Sequence, residues 1–173
     1  MNALYSTCKK ASLQLIVSVI GCFFIAGCGS SYKAAATADI ANVNITKAKQ
    51  TIAALVNDYR KKKGLSKLEF VEEISAIARN HSKRMGDKKV AFGHGGFDDR
   101  YTQLKKIIKR IGGAGENVAF GNIPLQQIVD GWIIKSPNHR ENMEEVFKLT
   151  GVGIYRDKKG TFYYTQIFLN QTK

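Results

Sequence analysis

The hydrophobic period changes late in the chain, and that change restricts the fold more than any other feature. Up to about Met143, apolar residues recur at helical spacing. After it come "GVGIYR" (151–156) and "TFYYTQIFL" (161–169), rich in β-branched and aromatic residues and separated by "DKKG". Two such runs around a short polar turn specify a hairpin. "ENVAF", Glu116 to Phe120, offers a third strand. Helices first and antiparallel strands last predict a layered α+β domain.

The helical part divides at polar and glycine-rich breaks. Ile52, Leu55, Val56 and Tyr59 share one face of a first helix that ends near Lys63-Gly64, and Ile74, Ile77, Ala78, His81 and Met85 share a face of a second. Asp98 or Asp99 is the expected cap of a third helix, carrying Tyr101, Leu104, Ile108 and Ile111 and stopping at Gly112-Gly113. Asn122-Ile123-Pro124 reads as a cap and first turn for a fourth helix through Leu125, Ile128, Val129 and Trp132, with Trp132 in the core. Ser136-Pro137 repeats that signal for a short helix holding His139 and Met143.

Residues 1–27 stand apart. Lys9 and Lys10 precede an apolar run from Ala11 to Ala26 with no acidic residue, short for a membrane span of roughly 20 residues and suited to a secretory signal. The run ends in "IAGC", which resembles a bacterial lipobox with Cys28 as the lipidated residue. Cys8 and Cys22 lie within the leader, so Cys28 alone would remain, and a lipidated thiol is no liability. The expected organisation is a lipoprotein signal peptide (1–27), lipidated Cys28 with a small, polar tether (28–47), and a folded domain (48–170). The chain would be exported and held, facing outward, at a bacterial cell membrane or outer membrane through Cys28. With a lipobox, the Asn-x-Ser/Thr triplets at Asn44, Asn80 and Asn170 are coincidental.

A formal net charge of +13 favours polyanionic partners. Outside the cytoplasm these are anionic envelope polymers or lipid headgroups; nucleic acid is excluded, since no aromatic-basic motif of that kind occurs. Lys61 to Lys63 suit a helix C-terminus, and Lys105, Lys106, Lys109 and Arg110 an outer helix face.

Three stretches combine chemically capable residues on loops: "FGHGGFDDR" with His94, "GAGENVAFG" with Glu116 and "SPNHRENM" with His139. Two imidazoles and a carboxylate suit a divalent-metal or acid-base site, or a polar network that pins the loops together. His81, among apolar neighbours, reads as a buried imidazole beneath that site. Asn117, Arg140 and Asn142 flank it and could support it with hydrogen bonds.

The segments "VNDYRKKKGLSKLEF", "ARNHSKRM", "FGHGGFDDR", "GENVAFG", "VDGWIIKSPNHRENM" and "GVGIYRDKKGTFYYTQIF" follow one another as in the CAP superfamily of cysteine-rich secretory, antigen-five and pathogenesis-related proteins. The chain resembles the bacterial, SCP-like form over roughly Ala48 to Leu169. The resemblance implies an α-β-α sandwich, with a small antiparallel sheet between helical layers and a cleft lined by His94, His139 and Glu116. A second glutamate that eukaryotic relatives carry after the tryptophan is replaced here, where Ile133, Ile134 and Lys135 follow Trp132. Asn57 and Arg60 match family positions and are expected to clamp the first helix to the sheet or C-terminus. Relatives make zinc or another divalent ion a candidate cofactor, with His94, His139 and Glu116 as ligands.

The leading functional expectation is a lipid-anchored envelope protein whose cleft binds a small ligand, lipid or peptide without catalysis. One alternative is a metal-dependent hydrolase or protease with Glu116 as base; the catalytic candidates are then His94, Glu116 and His139. Another is a basic adhesion module for anionic envelope polymers.

Overall fold

The expected α-β-α sandwich forms over residues 44–172, which a computed structural model describes; the leader, Cys28 and nearly all of the tether lie outside them. The elements are α1 (Ile45–Lys62), β1 (Glu69–Phe70), α2 (Glu72–Gly86), α3 (Phe97–Ile107), β2 (Ile111–Phe120), α4 (Leu125–Lys135), α5 (Pro137–Glu144), β3 (Leu149–Arg156) and β4 (Phe162–Gln171). The sheet order is β1-β3-β4-β2. Among the described residues no helix is long and apolar enough to cross a membrane.

The hairpin β3–β4 and the antiparallel β2–β4 pair form as expected. The sheet is mixed rather than wholly antiparallel, because the two-residue β1 pairs parallel with β3. Two residues are too few to show a period, so β1 left no mark in the pattern.

Four local boundaries differ from the sequence reading. Asn44 caps α1, its Oδ1 accepting from the Lys47 N–H at 3.1 Å, so the helix starts inside the stretch assigned to the tether. The third helix stops at Ile107: Ile108 is extended, Arg110 turns the chain at φ 58°, and Ile111 to Gly113 begin β2. Ile108 and Ile111 still pack against the core, from a loop and a strand. Its cap is Gly96 at φ 74°, while Asp98 and Asp99 sit in the first turn, where the helix dipole favours acids. Asn122 does not cap α4 either; its Oδ1 accepts from the Phe162 N–H at 3.2 Å and ties off the end of the sheet.

Side-chain alternation splits the interior into two layers. Val152, Ile154, Tyr164 and Phe168 pack with Ile52, Val56, Trp132 and Met143. Ile167, Leu169 and Leu149 pack on the other face with Ile74, Ala78 and Leu104. Gly151 and Gly153 set the second spacing: a Cβ at Gly151 would collide with Ile74 and the Ser75 backbone, and one at Gly153 with the backbone of Ala78 and Arg79.

Asn57 and Arg60 clamp α1, as expected. Asn57 exchanges two hydrogen bonds with the Leu68 backbone (2.8 and 3.0 Å). Arg60, 1% exposed, donates to the carbonyls of Ser66, Met143 and Glu145 at 2.7–2.9 Å.

β2 is an edge strand, yet its outer carbonyls are occupied. Trp132 Nε1 donates to the Val118 carbonyl (3.1 Å) and Asn142 Nδ2 to that of Glu116 (3.1 Å). Side chains from α4 and α5 thus take positions another strand would need. The candidate site lies along this sealed edge.

Candidate functional site

Alternation on β2 turns Glu116 toward α2 and α3, whereas Asn117 points to the opposite face, toward α5. Glu116 is buried and would be costly there as an unpaired charge. Arg100, one turn into α3 and itself 4% exposed, supplies the partner: Nε donates to Oε2 at 2.8 Å and Nη2 to Oε1 at 2.7 Å. Its remaining donors reach the carbonyls of Gly95 (2.9 Å) and His94 (3.3 Å). One guanidinium therefore fixes both the carboxylate and the loop that carries His94.

His94 projects from that loop. Its Nδ1 donates to Glu116 Oε1 at 2.9 Å, and about half of its side chain is exposed. With Nδ1 engaged, Nε2 is the atom left for a ligand. His139 comes from α5, which starts as expected: the Ser136 hydroxyl accepts from the His139 N–H. Its ring lies 5.7 Å from that of His94, at 71° between planes.

His81 sits underneath, fully buried, as expected. Its Nε2 is 2.8 Å from the Gly93 carbonyl and 3.9 Å from Glu116 Oε1. A carbonyl only accepts, so Nε2 carries the hydrogen; Nδ1 has no protein partner. Arg100 and His81 also border a small polar pocket between α2 and α3.

Asn117 and Asn142 brace the His139 side. Asn117 Nδ2 donates to the His139 carbonyl at 3.0 Å, and Asn142 Nδ2 to Asn117 Oδ1 at 3.0 Å. Gly115 leaves the room for this, because a Cβ there would run into the Asn142 amide. Arg140 does not join the group: it is exposed, and its charge acts on Glu144.

Electrostatics follow from this packing. Burial pushes the Glu116 carboxyl up, but the hydrogen bonds from His94 and Arg100, with the Arg100 charge, outweigh it and hold the group below 4.5. Burial lowers His81, and Arg100 adds to that against the Gly93 hydrogen bond. Burial, then His94, lowers His139. The carboxylate is thus ionised and neutralised by Arg100, and of the nearby imidazoles His81 and His139 resist protonation.

Three residues from distant loops meet as expected, but their roles differ from the three-ligand expectation. Both Glu116 oxygens are taken, and its side chain is only 2% exposed. Among the described residues no group of three or more His, Cys, Asp or Glu is arranged to hold a metal ion. The two imidazoles alone fall short of the three protein ligands of a catalytic zinc and the four of a structural one. The donor set does not fit a zinc centre with Glu116 as ligand; the carboxylate orients His94 instead.

Sequence reasoning missed Arg100. The available signal was an arginine ending "FGHGGFDDR", one turn into a helix beside a buried acid. Spacing cannot show that a side chain turns inward.

The family model for the cysteine-rich secretory protein family, CAP, matches residues 53–168. Two curated proteins of Bacillus subtilis (strain 168) are similar. "Uncharacterized membrane protein YlbC" is 29% identical over 130 residues, covering 73% of this chain and 35% of that one. "Uncharacterized protein YkwD" is 29% identical over 147 residues, covering 80% and 56%. The chain therefore spans only about a third to a half of the curated relatives it matches. Among solved structures, an extracellular protein containing a SCP domain from Bacillus anthracis str. Ames superposes with a TM-score of 0.62 at 30% identity, covering 73% of this chain and 41% of that one. An outer surface protein from Borrelia burgdorferi gives a TM-score of 0.60 at 19% identity over 75% and 97%, a likeness of fold alone.

Proposed function

The chain belongs to the cysteine-rich secretory protein (CAP) family, and we propose that it is an exported, lipid-anchored binding module of the bacterial envelope rather than an enzyme. The carrying observation is the Arg100–Glu116 pair. A general base must reach the proton it removes, and this carboxylate is buried with both oxygens engaged. What remains for a ligand is Nε2 of His94 and the ring of His139, above a charge-neutral base. Ring nitrogens so placed suit hydroxyl or amide groups, as in a peptide or another polar small molecule.

The anchoring half of the proposal rests on the basic-then-apolar leader ending at Cys28, with residues 28–43 as tether. The relatives described as a membrane protein and as an extracellular protein are consistent with export.

The test is native mass spectrometry of the chain purified from its own envelope, beside His94→Ala and His139→Ala. The reading expects one co-purifying molecule that both substitutions deplete at least tenfold. Retention of that molecule by both variants would place binding elsewhere. Hydrolysis of a peptide library that vanishes in Glu116→Gln, with the fold intact, would replace the binding reading with the hydrolase.

A further inference from the structure

Past the end of α2, whose last residue Gly86 packs on Tyr155 and Tyr163, the sheet carries a row of rings that the helix covers only in part. Phe120 of β2, Tyr163 of β4 and Tyr155 of β3 are register neighbours on one face. Phe92, from the loop before His94, extends the row: its ring meets Phe120 edge-on at 4.8 Å, and Phe120 stacks on Tyr163 at 6.0 Å. Phe92 is 49% exposed and Phe120 56%. Two adjoining phenylalanines half open to water are unusual on a monomer surface and point to something that covers them.

The surroundings say what kind of cover. Lys88 and Lys89 are exposed in the loop that leaves α2 after Gly86, and Lys158 and Lys159 are exposed in the turn that follows Tyr155; Lys83, over the Tyr155 ring, is paired with Asp87. The acids nearby are spent internally. Asp87 binds Lys83 and the Tyr155 hydroxyl; Asp157 accepts the amides of Lys159 and Thr161 in its own turn. Rings rimmed by lysines match an anionic bilayer: the rings enter the headgroup–acyl boundary and the lysines meet the headgroups. A wall polyanion would use the lysines but has no need of exposed phenylalanine, and an apolar protein partner has no need of the lysines.

We propose that the Phe92–Phe120–Tyr163 row with its lysine rim docks on an anionic phospholipid surface. Phe92 stands two residues before His94, so docking brings the cleft rim to the headgroup layer. The inference rests on the envelope location proposed above, but it requires no cleft ligand, so the two can fail separately.

The test uses the full chain carrying Phe120→Trp, with Phe92→Trp as a second probe. The native Trp132 is 2% exposed and bonded to the Val118 carbonyl, and it gives a constant background. Vesicles contain either equal parts phosphatidylglycerol and phosphatidylcholine or phosphatidylcholine alone, with brominated acyl chains as quencher. The expected result is blue-shifted, quenched emission from both probes in the anionic vesicles only. It should be reversed by high salt and reduced to the phosphatidylcholine level by Lys88→Glu with Lys89→Glu. Unquenched, water-like emission in anionic vesicles would overturn the proposal, as would equal quenching in both lipids. Blue-shifted emission without lipid, in a chain that sediments as a dimer, would assign the face to a second copy instead.

Discussion

Arg100 and Glu116 meet as a buried bidentate pair, Nε to Oε2 at 2.8 Å and Nη2 to Oε1 at 2.7 Å, with neither side chain more than 5% exposed. This pairing turns the acid of the cleft from a reagent into a platform: it holds His94 by one oxygen and the α3 entry through Arg100. Arg100→Met should cost about 3–5 kcal/mol, because it strands a buried carboxylate. Combining it with Glu116→Met should restore part of that loss. Urea unfolding of the single and double variants checks both statements; an additive double variant would mean the two residues act independently.

Acidification should weaken the fold in two stages. His81 and His139 are held below 6.5 chiefly by burial, with Arg100 helping at His81 and His94 at His139. As pH falls below 6.5, the unfolded chain binds protons that the folded chain refuses, so stability falls. Glu116, held below 4.5, adds a second loss as pH drops from there through its folded value. Both contributions are complete at neutral pH. His81→Gln, whose amide can still donate to the Gly93 carbonyl, should flatten the first stage. An unchanged slope of the urea midpoint against pH between 6.5 and 4.5 in that variant would contradict the assignment.

The parts legible in the sequence were those written in periods or in polar breaks. The β3–β4 hairpin showed in alternation, α5 in Ser136-Pro137, and the meeting of His94, Glu116 and His139 in the order of segments shared with the CAP superfamily. What escaped depends on direction in space. Ile108 and Ile111 satisfy helical spacing yet pack from a loop and a strand, because Arg110 turns the chain between them. Asn122 has the chemistry of a cap and spends it on β4. Arginine is a residue type mostly found exposed, and only the burial of Arg100 against Glu116 gives it a role.

Gly153 carries a packing requirement that strand alternation concealed. Any Cβ there meets the backbone of Ala78 and Arg79, not a side chain that could swing away. The Ser82 hydroxyl, donating to the Gly153 carbonyl at 3.0 Å, holds α2 at that spacing. Gly153→Ala should therefore destabilise by about 1–3 kcal/mol or more, the range for overpacking. Gly113→Ala, in a strand but with open space around its Cβ, is the control expected to change little. Thermal melts of the two variants compare them directly.

Arg60 offers the sharpest separation of charge from geometry. Its guanidinium, buried at the end of α1, serves four carbonyls on two segments, the loop at Ser66 and the stretch from Met143 to Phe147 that leads from α5 into β3. A lysine keeps the charge but cannot present donors in that fork. Arg60→Lys should then lose about 2–3 kcal/mol, because at least one buried carbonyl goes unpaired. Arg60→Met should lose more, since all four do. The loss should be local as well as global: amide exchange of residues 143–147 should accelerate in Arg60→Lys before that of the β3–β4 ladder. If exchange rises evenly across the sheet instead, Arg60 supports the fold as a whole and does not specifically tie α5 to α1.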